Sequence, residues 1–117
     1  MEATLLRAPG QLFQQTAEGR IENIYTLKLI NKTARDIPVR LKLENLEGRL
    51  TVMGGRDLVV PREQLVSAVV LIDLEPGQLN GATTKLRIGV YSKDKLLQTV
   101  NTGFVGPRDG AGGAARD

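Results

Sequence analysis

The chain has 117 residues, with 16 Lys and Arg against 13 Asp and Glu for a net charge of +3, and it contains neither cysteine nor histidine. Those two absences exclude disulfides, thiolate and imidazole metal sites, cysteine nucleophiles and the commonest general base. Two Phe, two Tyr and no Trp leave no aromatic platform for stacking nucleobases, and the basic residues are dispersed, so the mild positive balance does not read as nucleic-acid binding.

A hydrophobic share of 41% and a charged share of 25% suit one soluble globular domain. At this length a single core buries roughly two-thirds of the unfolded surface. The opening MEATLLRAPG has no basic region followed by an apolar one, so it is not a signal peptide. The longest near-apolar run, Leu65–Ile72, is interrupted by Ser67. It falls far short of the ~20 residues a spanning helix needs.

Taken in chain order, Leu5-Leu6-Arg7 is followed by the break Ala8-Pro9-Gly10, and Leu12-Phe13-Gln14 resumes an extended segment. Thr16–Gly19 is a turn, with Gly19 free to take positive φ. Arg20–Ile30 alternates, with Tyr25, Leu27 and Leu29 on one parity. A period of two places alternate side chains on opposite sheet faces, so this is a half-buried strand. The turn Asn31–Asp36 leads to a third strand, Ile37–Glu44, with Val39, Leu41 and Leu43 on one parity and Arg40 and Lys42 on the other. Pro38 lies near its start, where a missing N–H is tolerated. Glu47-Gly48 turns into Arg49–Met53, Gly54-Gly55 breaks the chain, and Asp57–Val60 runs up to Pro61.

Leu65–Leu74 is apolar on both parities, as in a strand buried on one face and at least partly covered on the other. Its Val and Ile content and the flanking Pro61 and Pro76 favour strand over helix. After the loop Glu75–Gly81, Thr83–Ser92 puts Leu86, Ile88 and Val90 inward with Lys85 and Arg87 outward, and Lys93-Asp94 closes a hairpin onto Leu96–Val105. Beyond Pro107, residues 108–117 read as a disordered Gly/Ala-rich tail. About seven short strands with turn residues between them and no helix define an all-β, immunoglobulin-like antiparallel sandwich over residues 1–107. The Cys…Trp…Cys hallmark of antibody domains is absent.

Few motifs carry chemistry. Gly110–Ala115 reads GAGGAA and matches a dinucleotide fingerprint, but no helix can follow with two residues left. Asn31-Lys32-Thr33 is a glycosylation sequon and equally a set of turn formers, the reading preferred here. Glu44, Glu47, Asp57, Glu63 and Glu75 fall at strand ends and turns, while Asp73 stands late in the most apolar strand. Nothing in their spacing pairs two carboxylates across a cleft. Ser67 has neither a nucleophile elbow nor a base. No catalytic residue, cofactor or metal ligand is therefore assigned.

Four segments in order, RAPGQLFQ, GRIENIYTLKLINKT, IPVRLKLE and TGFVGPR, resemble the C-terminal immunoglobulin-like domain of the FixG/CcoG proteins. The stretch Gly19–Thr33 is the most specific, and the closing Phe104-Val105-Gly106-Pro107 matches the domain's last strand. The resemblance spans about Leu5 to Arg108. It implies a bacterial inner-membrane parent with several spanning helices and a ferredoxin-like iron–sulfur region, which supports biogenesis of cbb-type cytochrome c oxidase and in which copper handling is implicated. The module would lie in the periplasm after the last membrane helix, with ATLLRAPG just beyond that helix and Met1 added. Redox activity does not carry over, because the chain has no cluster ligands.

The expected function is thus a non-catalytic interaction or scaffolding module that docks an oxidase subunit, an assembly factor or a neighbouring copy. Two alternatives stand beside it: a weak copper-handling module using surface carboxylates and Met53, and a purely structural stalk. If the third strand pairs with the sixth and the sixth with the seventh, the outward parities bring Arg40, Lys42, Lys85, Arg87, Lys95 and Tyr91 onto one face. Glu44 is the lone acid there, so this cationic face is the candidate contact for an acidic protein surface or anionic lipid headgroups.

Overall fold

In a computed structural model, residues 1–7, 13–53, 58–81 and 83–106 are described. Among them are nine strands: β1 (Glu2–Arg7), β2 (Gln14–Gln15), β3 (Ile21–Ile30), β4 (Ile37–Leu43), β5 (Gly48–Val52), β6 (Leu58–Val60), β7 (Leu65–Leu74), β8 (Thr83–Ser92) and β9 (Lys95–Val105). The first sheet runs β1-β3-β7-β5 with β2 also on β3, the second runs β6-β4-β8-β9, and every pairing is antiparallel. This is the immunoglobulin-like sandwich, with two short additions, β2 and β6, beyond the seven strands expected. Among the described residues helix is confined to one 3₁₀ turn at Pro76–Gln78. The expected tail and the GAGGAA run lie outside the described residues.

Period-two alternation fixes the core. From β3 come Ile21, Asn23, Tyr25, Leu27 and Leu29, from β7 Val70, Ile72 and Leu74, from β8 Leu86, Ile88 and Val90, and from β9 Val100 and Phe104. One-residue slips would expose these rows, so register is strongly specified. The chain switches sheets at β5, returns at β6 and switches again at β7. Gly48 lies within β5 rather than in the turn before it, because a Cβ there would strike the Leu74 side chain and come within 2.6 Å of the Asp73 carbonyl oxygen. The two-residue Lys93-Asp94 hairpin forms as read, with Lys93 held at φ 56.

Three polar side chains stitch the sheets along β9. The Asn23 amide donates to the Val105 carbonyl at 2.9 Å and its oxygen accepts from the Val105 N–H at 2.8 Å. The Tyr25 hydroxyl donates to the Gly103 carbonyl at 2.7 Å, and burial pushes its pKa above the ordinary phenol value, so it stays a donor. Gln98 accepts from the Ala3 N–H at 2.9 Å. The part-buried Gly103 and Val105 backbone groups of β9 and the Ala3 N–H of β1 are satisfied by these side chains rather than by another strand.

Candidate interaction face

The outer surface of the second sheet is built by three ladders. β4 pairs with β8 so that Arg40 stands opposite Tyr91 and Lys42 opposite Gly89. The ladder extends one step further, with the Glu44 N–H donating to the Arg87 carbonyl at 2.8 Å. Lys85 is opposite Gly103 and Arg87 opposite Asn101 of β9. Asn45 then completes the pairing with its side chain: its amide donates to the Lys85 carbonyl at 3.0 Å and its oxygen accepts from the Arg87 N–H at 2.9 Å. Arg40, Lys42, Lys85 and Arg87 are exposed on this one face, with Tyr91 half-buried among them.

Lys95 leaves the row. Val90 is opposite Gln98, but Tyr91 is opposite Leu96 and Ser92 opposite Lys95, so β9 carries one extra residue at this point. Such a bulge shifts the parity of everything beyond it. Lys95 instead lines an open groove of about 920 Å³ at the end of the sandwich, with Arg35, Ile37, Pro38, Lys93 and Leu97 among its walls. Simple alternation cannot register an inserted residue, so sequence parity misplaced this side chain.

Glu44 also behaves differently from a solitary surface acid. Its carboxylate accepts the Tyr91 hydroxyl and lies over Gly89, whose missing side chain makes the space. That hydrogen bond to Glu44 holds the Tyr91 proton and raises its pKa from the phenol value. The four cations take part in none of the ion pairs among the described residues. The paired acids lie elsewhere. Asp73 and Glu75 hold Arg20, Asp73 and Glu18 hold Arg49, Glu2 holds Lys32, and Asp36 holds Arg62.

Asp73 is thus explained structurally: only 8% exposed, it is clamped by Arg20 and by Arg49 at 3.2 Å where β3, β7 and β5 lie side by side. No three His, Cys, Asp or Glu side chains converge on a metal-sized site among the described residues. Met53 is exposed beyond β5, on the opposite sheet from the cationic row. Ser67 faces outward opposite Lys28.

Comparison with known proteins places this geometry. A family defined as the IG-like fold at the C-terminus of FixG matches residues 1–107. The chain belongs to the FixG C-terminal domain family. The same description gives oxidoreductase as a candidate activity of FixG itself. The crystal structure of a FixG-related protein from Vibrio parahaemolyticus superposes with a TM-score of 0.71 at 25% identity, covering 89% of this chain and 94% of that one. No curated protein sequence matches.

In this FixG C-terminal domain the residues carrying the family resemblance are scaffolding. Ile21, Asn23, Tyr25 and Leu27 all point inward, and two of them make the β3–β9 stitches. Asn31, only 1% exposed, donates to the Arg35 and Val60 carbonyls and accepts from the Thr33 N–H and hydroxyl, so the sequon works as a turn lock. Phe104 fills the core, and a Cβ on Gly106 would come within 2.6 Å of Leu79. The domain has no helix long and apolar enough to cross a membrane among its described residues.

Proposed function

We propose that this FixG C-terminal domain is a non-catalytic docking module that offers the outer face of β4, β8 and β9 to an acidic protein surface. The setting is the periplasmic side of a bacterial inner membrane, within a larger iron–sulfur FixG-type protein that supports cbb-type oxidase assembly, and the partner is an oxidase subunit or assembly factor. The single supporting observation is the row of Arg40, Lys42, Lys85 and Arg87, exposed and outside every ion pair among the described residues. Four unpaired cations on a rigid sheet steer association and select an acidic counterpart. Tyr91 and Arg40, side by side, are residue types enriched at binding hot spots.

The test compares the wild-type chain with Arg40→Glu/Arg87→Glu, both shown to be folded by circular dichroism. Each is measured for binding to purified cbb-type oxidase and to vesicles containing anionic lipid, at low and high salt. Salt-sensitive binding to the oxidase that the double variant loses supports the reading. Oxidase binding that persists in the folded double variant at low salt overturns it, and binding to vesicles alone reassigns the face to the membrane surface.

A further inference from the structure

The outer face of the other sheet presents a separate problem. β7 is apolar on both parities, yet only one parity is buried: Leu65 is 53% and Val69 44% exposed. Cross-strand register assembles a continuous surface around them. Leu6 of β1 is opposite Thr26 of β3, Thr26 is opposite Val69, and the Met53 N–H donates to the Val69 carbonyl at 2.8 Å. Leu6 and Met53 are 56% and 51% exposed. On one side of this row lie half-buried Ile24 and Leu71, and on the other, beyond Lys28 and Ser67, lie Ile30 and Leu65. Four of the six large exposed hydrophobics of the described residues thus share one face of the sheet. Leu6, Val69 and Met53 with Ile24 and Leu71 form a contiguous apolar patch, bounded on one side by Lys28 and Ser67, and such a patch marks an interaction surface.

The charges at its two ends indicate what covers it. One end carries Glu22 beside Asp73, Glu75 and Glu18, four acids against Arg20 and Arg49. At the other end Lys28 stands with the Lys32–Glu2 pair, two bases against one acid. Lys28 and Glu22 join none of the ion pairs among the described residues, and they sit on the same strand on either side of the apolar row. A surface that is acidic at one end, apolar in the middle and basic at the other is complementary to itself under a two-fold rotation.

We infer that this face is a homodimer interface, in which two copies stack β1-β3-β7-β5 sheets about a two-fold axis running across the strands midway between the Ile24–Leu71 and Thr26–Val69 rows. The arrangement is isologous, the commonest kind among soluble oligomers. It sets Val69 on the partner's Leu71 and brings Lys28 of each copy opposite the partner's Glu22. Five same-face positions each on β3 and β7 and three each on β1 and the β5–Met53 edge, spaced ~4.8 Å by ~6.8 Å, cover roughly 500 Å² per copy, the size of a weak, reversible interface. The inference is independent of the docking role proposed for the opposite sheet.

Sedimentation velocity over a wide concentration range tests it on the 117-residue chain. The expected result is a monomer–dimer equilibrium that Val69→Lys weakens by roughly thirty-fold or more, the loss typical of a central contact. Lys28→Glu should weaken it less, and adding Glu22→Lys to that variant should restore it. Arg40→Glu/Arg87→Glu should dimerise as the wild type does, which separates this face from the cationic one. All these positions are at least partly exposed, and circular dichroism confirms the fold of each variant, with Leu6→Glu as a second central probe. A monomer at every concentration overturns the inference, as does a dimer that survives both Val69→Lys and Leu6→Glu. Flotation of a monomeric chain with neutral-lipid vesicles, abolished by Val69→Lys, overturns it in favour of a lipid contact.

Discussion

Asn23 provides the sharpest test of how the two sheets are joined. Its side chain is 1% exposed and makes a two-way bond with Val105, donating at 2.9 Å and accepting at 2.8 Å. Asn23→Ala removes both partners and leaves the Val105 N–H and carbonyl without them in a part-buried site. An unsatisfied buried polar group costs ~1–3 kcal/mol, so the pair should lose about 2–4 kcal/mol after partial relaxation. In a domain of this size that lowers Tm by roughly 10–25 °C. Asn23→Asp is the more discriminating change. A protonated carboxyl can still donate to one Val105 group and accept from the other, whereas a carboxylate can only accept and must also be desolvated. The introduced group therefore has a raised folded-state pKa, and the sign follows. Below the unfolded pKa of about 3.9 the variant should approach wild-type stability. As pH rises from there toward the folded pKa, stability falls by up to ~1.4 kcal/mol per pH unit, and above the folded pKa the loss is constant. Urea melts of the three proteins between pH 3 and pH 8 (roughly the span of that titration) read this directly. A pH-independent difference between Asn23→Asp and wild type, or a loss within about 0.5 kcal/mol for Asn23→Ala, would refute the assignment of Asn23 as the β3–β9 stitch.

Further outcomes follow from burial and hydrogen bonding. Leu27→Ala, at 1% exposure, should cost about 2–5 kcal/mol in urea melts, whereas Leu41→Ala should cost about 1–2 kcal/mol because Leu41 is half-buried and lines an open groove with Leu50, Val52 and Leu58. Arg40→Ala should stay within roughly 0.5 kcal/mol, and equal effects of Arg40→Ala and Leu27→Ala would contradict the register. Asn31 should remain unmodified when the folded chain meets an oligosaccharyltransferase, as read by mass spectrometry, because both amide hydrogens are engaged by the Arg35 and Val60 carbonyls. Asn31→Ala should cost about 2–4 kcal/mol by leaving those carbonyls and the Thr33 N–H unpartnered.

What the sequence determined by itself was local periodicity and the absence of cysteine and histidine. Alternation in Ile21–Ile30, Ile37–Leu43 and Thr83–Ser92 settled strands, core parity and the outward placement of Arg40, Lys42, Lys85 and Arg87, because a period of two leaves no other way to bury the aliphatic row. The family resemblance was legible for a related reason: Asn23, Tyr25, Asn31 and Gly106 make contacts that only those residue types can make. Everything that depends on pairing across distance was decided by the tertiary structure. The extra residue in β9 turned Lys95 away from the cationic row, Glu44 was drawn over Gly89 to Tyr91, and Asp73 became the acid shared by two arginines. The doubly apolar reading of Leu65–Leu74 was correct as a pattern, but which parity lies inside and which is left bare was fixed only when β7 took its place between β3 and β5. Periodicity along a strand says that a face is apolar. What covers that face is a property of the neighbours, and those are set by topology.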